Sequence, residues 1–180
     1  MDKRAELDRF FAGIESRAYR IAVYGLGNRE DALDVVQDAM LQLARRYSAR
    51  PADEWTPLFY RVLSNRVRDW QRHRTVRNRV MAWLPLNRDR EQREDPVSLF
   101  PDPTGRGPDE EVATDDAIDA LNDAIHELAP RQQQALLLRQ IEGLSVADTA
   151  TAMGCSQGSV KTHYSRAVHA LQEKLGEHWP

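Results

Sequence analysis

Cysteine occurs once in these 180 residues, so no internal disulfide can staple the fold. No run of about 18 apolar residues occurs, which excludes a membrane-spanning helix of ordinary length. The opening residues, MDKRAELDRFF, are charged and carry no apolar stretch, so a secretory signal is not expected. The histidines, His73, His126, His163, His169 and His178, fall in no H-E-x-x-H and no tight ligand spacing, so neither a metal nor another cofactor is expected. No G-x-S-x-G, P-loop or Rossmann glycine pattern is present, and catalysis has no visible seat. No β-alternating segment stands out either. What remains is a polar chain with a mean hydropathy of −0.65. At 29% charged residues it reads as a soluble cytoplasmic protein, large enough for one domain or two small ones.

The most informative stretch runs from Leu144 to Leu171. Ser145 is a good N-cap with Asp148 three residues on, a weak capping box. Val146, Ala147, Ala150 and Met153 form a short apolar stripe. Gly154 can take the left-handed conformation that ends a helix, and Ser156 caps the next one. In that second helix Val160, Tyr164, Ala167, Leu171 and Leu175 face inward. Ser156, Ser159, Thr162, His163 and Arg166 point elsewhere, with Lys161 beside them. This is a helix-turn-helix whose second helix suits the major groove of DNA. Cys155 sits in its turn as a small, partly buried residue.

A net charge of −3 looks wrong for such a protein until it is mapped. Residues 1–82 carry 16 Lys/Arg against 11 Asp/Glu; residues 83–112 carry 4 against 8, and residues 113–180 carry 5 against 9. The positive charge is concentrated in the first part.

The periodicity predicts an all-α fold of two small helical domains joined by a flexible linker. In the first domain, 1–82, one helix buries Leu7, Phe10, Phe11, Ile14, Ala18 and Ile21 and breaks at Gly25-Leu26-Gly27-Asn28. A second runs from about Arg29 to Tyr47 with Ala32, Val36, Ala39, Met40 and Leu43 inward. Ser48–Pro57 reads as a loop, and a third helix from about Leu58 buries Phe59, Val62, Leu63, Val67 and Trp70. Residues 83–112 are rich in proline, glycine and acid and read as the linker. The second domain, 113–180, places Ile118, Leu121, Ile125 and Leu128 on one face. A helix opened by Pro130 and carrying Leu136, Leu137 and Ile141 follows, and then the helix-turn-helix.

Two further surfaces carry chemistry. Arg61, Asn65, Arg68 and Arg72 share one stripe of the third helix. Guanidinium groups bind phosphates and release counterions, while an amide can read a base edge. Trp55 and Tyr60 lie close by, and aromatic rings beside a basic groove can stack on unpaired bases. On the second helix Asp34, Gln37, Asp38, Leu41 and Arg45 line the face opposite the core. That face is either simply solvated or a docking surface for a basic partner.

DALDVVQDAMLQLARRY (Asp31–Tyr47) with WTPLFYRVLSNRVRDWQRHR (Trp55–Arg74) resembles the second conserved region of bacterial RNA polymerase sigma factors of the extracytoplasmic-function (ECF) group. Arg61, Asn65 and Asp69 carry the match. LAPRQQQALLLRQIEGLSVADTATAMGCSQGSVKTHYSRAVHAL (Leu128–Leu171) resembles the fourth region, with Pro130, Arg131, Gln132, Gly143, Ser145, Ala150, Gly154, Ser156, Gly158, Val160, Lys161 and Arg166 at expected positions. Asp148 departs from the usual Glu, and Trp55-Thr56-Pro57 varies the usual loop end.

The resemblance implies a non-enzymatic factor that binds core RNA polymerase and promoter DNA and promotes melting. Asp34, Gln37, Asp38, Leu41 and Arg45 would grip the β′ clamp coiled coil, and Leu128–Ile141 would rest on the β flap. Trp55, Tyr60, Arg61, Asn65, Arg68 and Arg72 would serve the −10 element, with the Ser48–Pro57 loop taking a flipped base. Ser156, Ser159, Lys161, Thr162, His163 and Arg166 would read the −35 element. The linker acids Asp89, Glu91, Glu94, Asp95, Asp102, Asp109, Glu110 and Glu111 would mimic RNA on its exit path, or simply solvate a tether. An anti-sigma factor is an expected partner, and no membrane insertion is expected. The opposite charges of the two domains further predict that the free chain closes over its own binding faces. The rival readings are a helix-turn-helix regulator acting without core polymerase and a sigma-like mimic that titrates an anti-sigma factor.

Overall fold

The computed structural model describes residues 3–81 and 108–176. Among them are seven α-helices and no strand: α1 Lys3–Leu26, α2 Arg29–Tyr47, α3 Trp55–Met81, α4 Pro108–His126, α5 Pro130–Gln140, α6 Val146–Met153 and α7 Gln157–Leu175. The predicted linker lies outside the described residues up to Pro108, where α4 begins, earlier than the expected boundary at 113.

The first three helices follow from their stripes. Leu7, Ile14, Ala18 and Ile21 of α1 are buried against Ala32, Val36, Ala39 and Leu43 of α2 and Phe59, Val62 and Leu63 of α3. Phe10, Phe11, Met40, Val67 and Trp70 are only partly covered and pack on this core from its margin. The break falls at Gly27, whose φ of 68° is a left-handed conformation that costs glycine little. Asn28 caps α2 by accepting from the Asp31 amide at 3.0 Å. Glu30 and Asp31 in the first turn and Arg45 and Arg46 in the last complement the helix dipole. At the other end of the α1–α3 contact, Gln71 Nε2 donates to the Gly25 carbonyl at 2.7 Å and Arg74 to that of Leu26 at 3.0 Å. Both satisfy acceptors that the end of α1 leaves open. Here α1 and α3 nearly touch: a Cβ added to Gly25 would stand 2.7 Å from Val67 Cγ1.

Two predictions about this domain change. The third helix begins at Trp55, not near Leu58, because Pro57 fits a first turn and a short 3-10 turn over Ala52–Glu54 leads into it. Trp55 is a core residue, 1% exposed. Its ring meets Phe10 at 5.5 Å and its Nε1 donates to the Tyr47 carbonyl at 3.2 Å, pinning the end of α2 to the start of α3.

The second domain is built around α5 and α7. Ala135, Leu136, Leu137 and Leu138 meet Val160, Ala167, Leu171 and Leu175. Ser145 accepts from the Asp148 amide at 3.0 Å and donates its own hydroxyl to the Asp148 carboxylate at 2.6 Å. Gly154 takes φ 62° and ψ 43°, and Ser156 accepts from the Ser159 amide at 3.1 Å. On α6 the expected stripe is rotated. Ala147 is exposed, whereas Thr149 and Ala152 are buried with Ala150 and Met153. This helix packs against α3 of the other domain as well as against α5 and α7.

The two domains are therefore closed on each other. Besides the α3–α6 contact, α1 touches α4 and α5. Tyr24 donates to Asn122 Oδ1 at 2.6 Å, and its ring lies 5.5 Å from that of His126. Glu142, just after α5, accepts from Arg17 Nε at 2.8 Å and from the Tyr60 hydroxyl at 2.6 Å, both on one carboxylate oxygen.

Candidate nucleic-acid and polymerase interface

Three faces come from the predicted site residues. On α2, Asp34, Gln37, Asp38, Leu41 and Arg45 are all exposed, and Leu41 is 53% exposed although apolar. Spacings of three, four and seven place them on one side of the helix, away from the Val36 and Leu43 core side. From α3, the Arg66 guanidinium reaches Asp38 at 4.0 Å and Gln42 at 3.1 Å. An acidic, uncovered helix face with one projecting leucine is equipped to receive a basic partner helix.

On α3, the residues predicted to share one stripe separate into two groups. Arg61, Asn65 and Arg72 are exposed and available to phosphate or base edges. Arg68 is half-buried toward the second domain. Burial first, then the charges of Arg131 and Arg72, hold its guanidinium below the usual arginine range. Tyr60 is 0% exposed. Its hydroxyl ends on Glu142, and burial, followed by the Glu142 charge, pushes its ionisation far above the usual tyrosine range. Neither Trp55 nor Tyr60 can meet a DNA strand in this arrangement, which corrects the expectation that both stack on unpaired bases. Trp55 is held within its own domain. The seat of Tyr60 is shared with the other domain.

On α7, Ser156, Lys161, Thr162 and Arg166 are exposed, with Ser159 and His163 partly so. The Ser156 and Ser159 hydroxyls are engaged with each other at 2.9 Å and Thr162 Oγ1 donates to the Gly158 carbonyl at 3.0 Å. Lys161 and Arg166 project without an ion pair recorded among the described residues. The helix is steadied from behind. Arg131 donates to the Met153 carbonyl at 2.7 Å, holding α5 against the end of α6, and Gln140 bonds the Tyr164 hydroxyl.

No group of metal-binding side chains occurs among the described residues, and no described helix is long and apolar enough to cross a membrane. The element that sequence reasoning missed is the Arg17–Glu142–Tyr60 cluster. Its members are separated by 125 and 82 residues, and no local pattern couples them.

Known proteins agree with this geometry. The Sigma-70 region 4 family profile matches residues 118–171. The chain is 31% identical to an RNA polymerase sigma-E factor of Streptomyces avermitilis, over 81% of this chain and 84% of that one. It is 29% identical to the ECF RNA polymerase sigma factor BldN of Streptomyces coelicolor, over 93% of this chain and 59% of that protein. The ECF RNA polymerase sigma factor SigE of Mycolicibacterium smegmatis is likewise longer, the match spanning 58% of it. Among solved structures, the sigma factor RpoE of Bartonella quintana, in complex with the anti-sigma factor NepR, has the same fold. The TM-score is 0.65 at 21% identity, covering 94% of this chain and 96% of that one. CnrH in complex with the cytosolic domain of CnrY gives 0.59 at 18% identity, covering 97% and 90%. An exposed acidic face on α2, a basic helix beside it and a helix-turn-helix in a second domain accompany these likenesses, and the chain belongs to the RNA polymerase sigma factors of the ECF group.

Proposed function

We propose that this chain directs core RNA polymerase to promoters. In this reading the α2 face of Asp34, Gln37, Asp38, Leu41 and Arg45 docks on the β′ clamp coiled coil, and the α5 region rests on the β flap. Arg61, Asn65 and Arg72 of α3, joined by Arg68 once the domains part, serve the −10 element. Lys161, Thr162 and Arg166 of α7 read the −35 element from the major groove, with Ser156, Ser159 and His163 at the margin. The chain contributes recognition and melting, and RNA synthesis belongs to the polymerase in the cytoplasm. The anti-sigma partner of the Bartonella relative supports control by a protein of that kind.

The observation that carries this reading is the placement of two exposed polar reading helices in separate domains, beside an acidic docking face. The placement also sets a requirement. Positions −35 and −10 are about 25 steps apart, or roughly 85 Å of duplex at about 3.4 Å per step. A compact chain of this length has a radius of gyration of about 16 Å. The closed form cannot touch both elements, so the domains must separate on polymerase.

Run-off transcription with purified core polymerase tests the proposal. Stimulation is expected from a subset of a genomic promoter library, reduced at least tenfold by Asn65→Ala or Arg166→Ala. Promoter-specific binding without core, or no stimulation from any promoter, would sink it.

A further inference from the structure

Between the domains lies a half-open cavity of about 650 Å³. Ile21, Leu63 and Val67 of the first domain form one side, and Pro130 and Leu137 of the second form the other. The size is that of sites that bury drug-sized molecules, roughly 300–1,000 Å³. Its polar equipment has one sign. Arg68, Arg72 and Arg131 all reach it, and no Asp or Glu is among its described lining residues. The mutual repulsion of these guanidiniums contributes to the lowered pKa of Arg68. The Gln134 side chain also lines the cavity. Its Oε1 accepts from Arg131 at 3.4 Å, but its Nε2 is buried with no hydrogen-bond partner. A bare phosphate would leave the apolar walls unused, and a neutral apolar molecule would leave the cations unpaired.

We propose that this cavity binds an amphipathic anion: a carboxylate or phosphate on an apolar body. The anionic oxygens are held by Arg68 and Arg131, and the body lies against Val67 and Leu137. Both domains supply walls, so only the closed chain has the site. A ligand at a hundred times its Kd then raises the closed-to-open ratio about a hundredfold. The site itself stands on this geometry alone; only its consequence, reduced promoter use, rests on the function proposed above.

The test uses the full chain and two probes, 2-naphthoate and 2-naphthyl phosphate, with 2-naphthalenemethanol and inorganic phosphate as controls. Saturable one-to-one binding of at least one probe is expected, at least tenfold tighter than either control, with NOEs from the rings to Val67 and Leu137 methyls. The relative strength of the two probes tells a carboxylate ligand from a phosphate one. Gln134→Glu places a carboxylate among the arginines and is expected to weaken binding more than tenfold while the chain stays compact in scattering. Arg131→Met is expected to weaken it as well. The proposal is overturned by non-saturable binding, by equal binding of the alcohol, by NOEs elsewhere, or by a folded Gln134→Glu chain that binds like the unmodified one. None of these results depends on polymerase, so they are separable from failure of the transcription assay.

Discussion

Replacing Glu142 with alanine should open the chain. The carboxylate is 6% exposed and takes two hydrogen bonds from the first domain, while its partner Arg17 is 45% exposed. Once the carboxylate is gone, Arg17 turns to water and loses little, as half-exposed ion pairs contribute only about 0–1 kcal/mol. Tyr60 has no such escape. It is fully buried, and a buried hydroxyl left without a partner costs about 1–3 kcal/mol. Together these favour opening by about 1–4 kcal/mol, or roughly 5- to 700-fold in the closed-to-open ratio. Energy transfer between dyes on the exposed ends of α2 and α7 reads that ratio directly. Scattering reads its consequence. Two bodies whose centres move from about 22 to about 40 Å apart raise the radius of gyration from about 16 to about 23 Å. Tyr60→Phe, which removes the hydroxyl but leaves Arg17 and Glu142 paired, should shift the ratio less than Glu142→Ala does. An unchanged ratio in a well-folded Glu142→Ala chain would refute the view that this carboxylate holds the domains together.

Three further outcomes follow from the structure. Tyr60 is held neutral when closed and ionises near the usual value of about 10 when released, so its contribution to closure is complete below about pH 10 and declines above it. An alkaline titration of the energy-transfer signal should show that decline at about 1.4 kcal/mol per pH unit, and Tyr60→Phe should remove it. Gly25→Ala would drive a methyl to 2.7 Å from Val67 Cγ1 and should cost about 1–3 kcal/mol in denaturant unfolding, with Val67→Ala in the same chain restoring part of it. Asp38→Arg reverses a charge in the middle of the exposed α2 face and should weaken core polymerase binding at least tenfold while leaving thermal unfolding within about 0.5 kcal/mol.

Much of each domain was legible in the sequence because a 3.6-residue period fixes which side of a helix is buried. Leu7, Ile14, Ala18 and Ile21 on α1, and Val160, Ala167 and Leu171 on α7, needed nothing else. The caps at Ser145 and Ser156 were legible because capping is local chemistry. Legibility failed where one domain decides the environment of the other. Arg68 leaves the exposed stripe of Arg61 and Asn65 because it turns into the cavity beside Arg131 of the second domain. Trp55 failed differently. An aromatic residue next to a basic helix suggests base stacking, but its partners Phe10 and Tyr47 lie on separate helices that only the folded domain assembles.

The sparse charge on α7 has a further consequence for the population of free molecules. With Lys161 and Arg166 as the exposed cations on the reading side of that helix, closed molecules engage about two phosphates through it. The contribution of that helix to random-duplex affinity should then carry a logarithmic salt slope of only about −1.8. Genomic DNA is a vast competitor, but to this helix it is a weak one. Storage of free chains along the chromosome would then depend on the exposed Arg61 and Arg72 of α3 and not on the helix of the second domain.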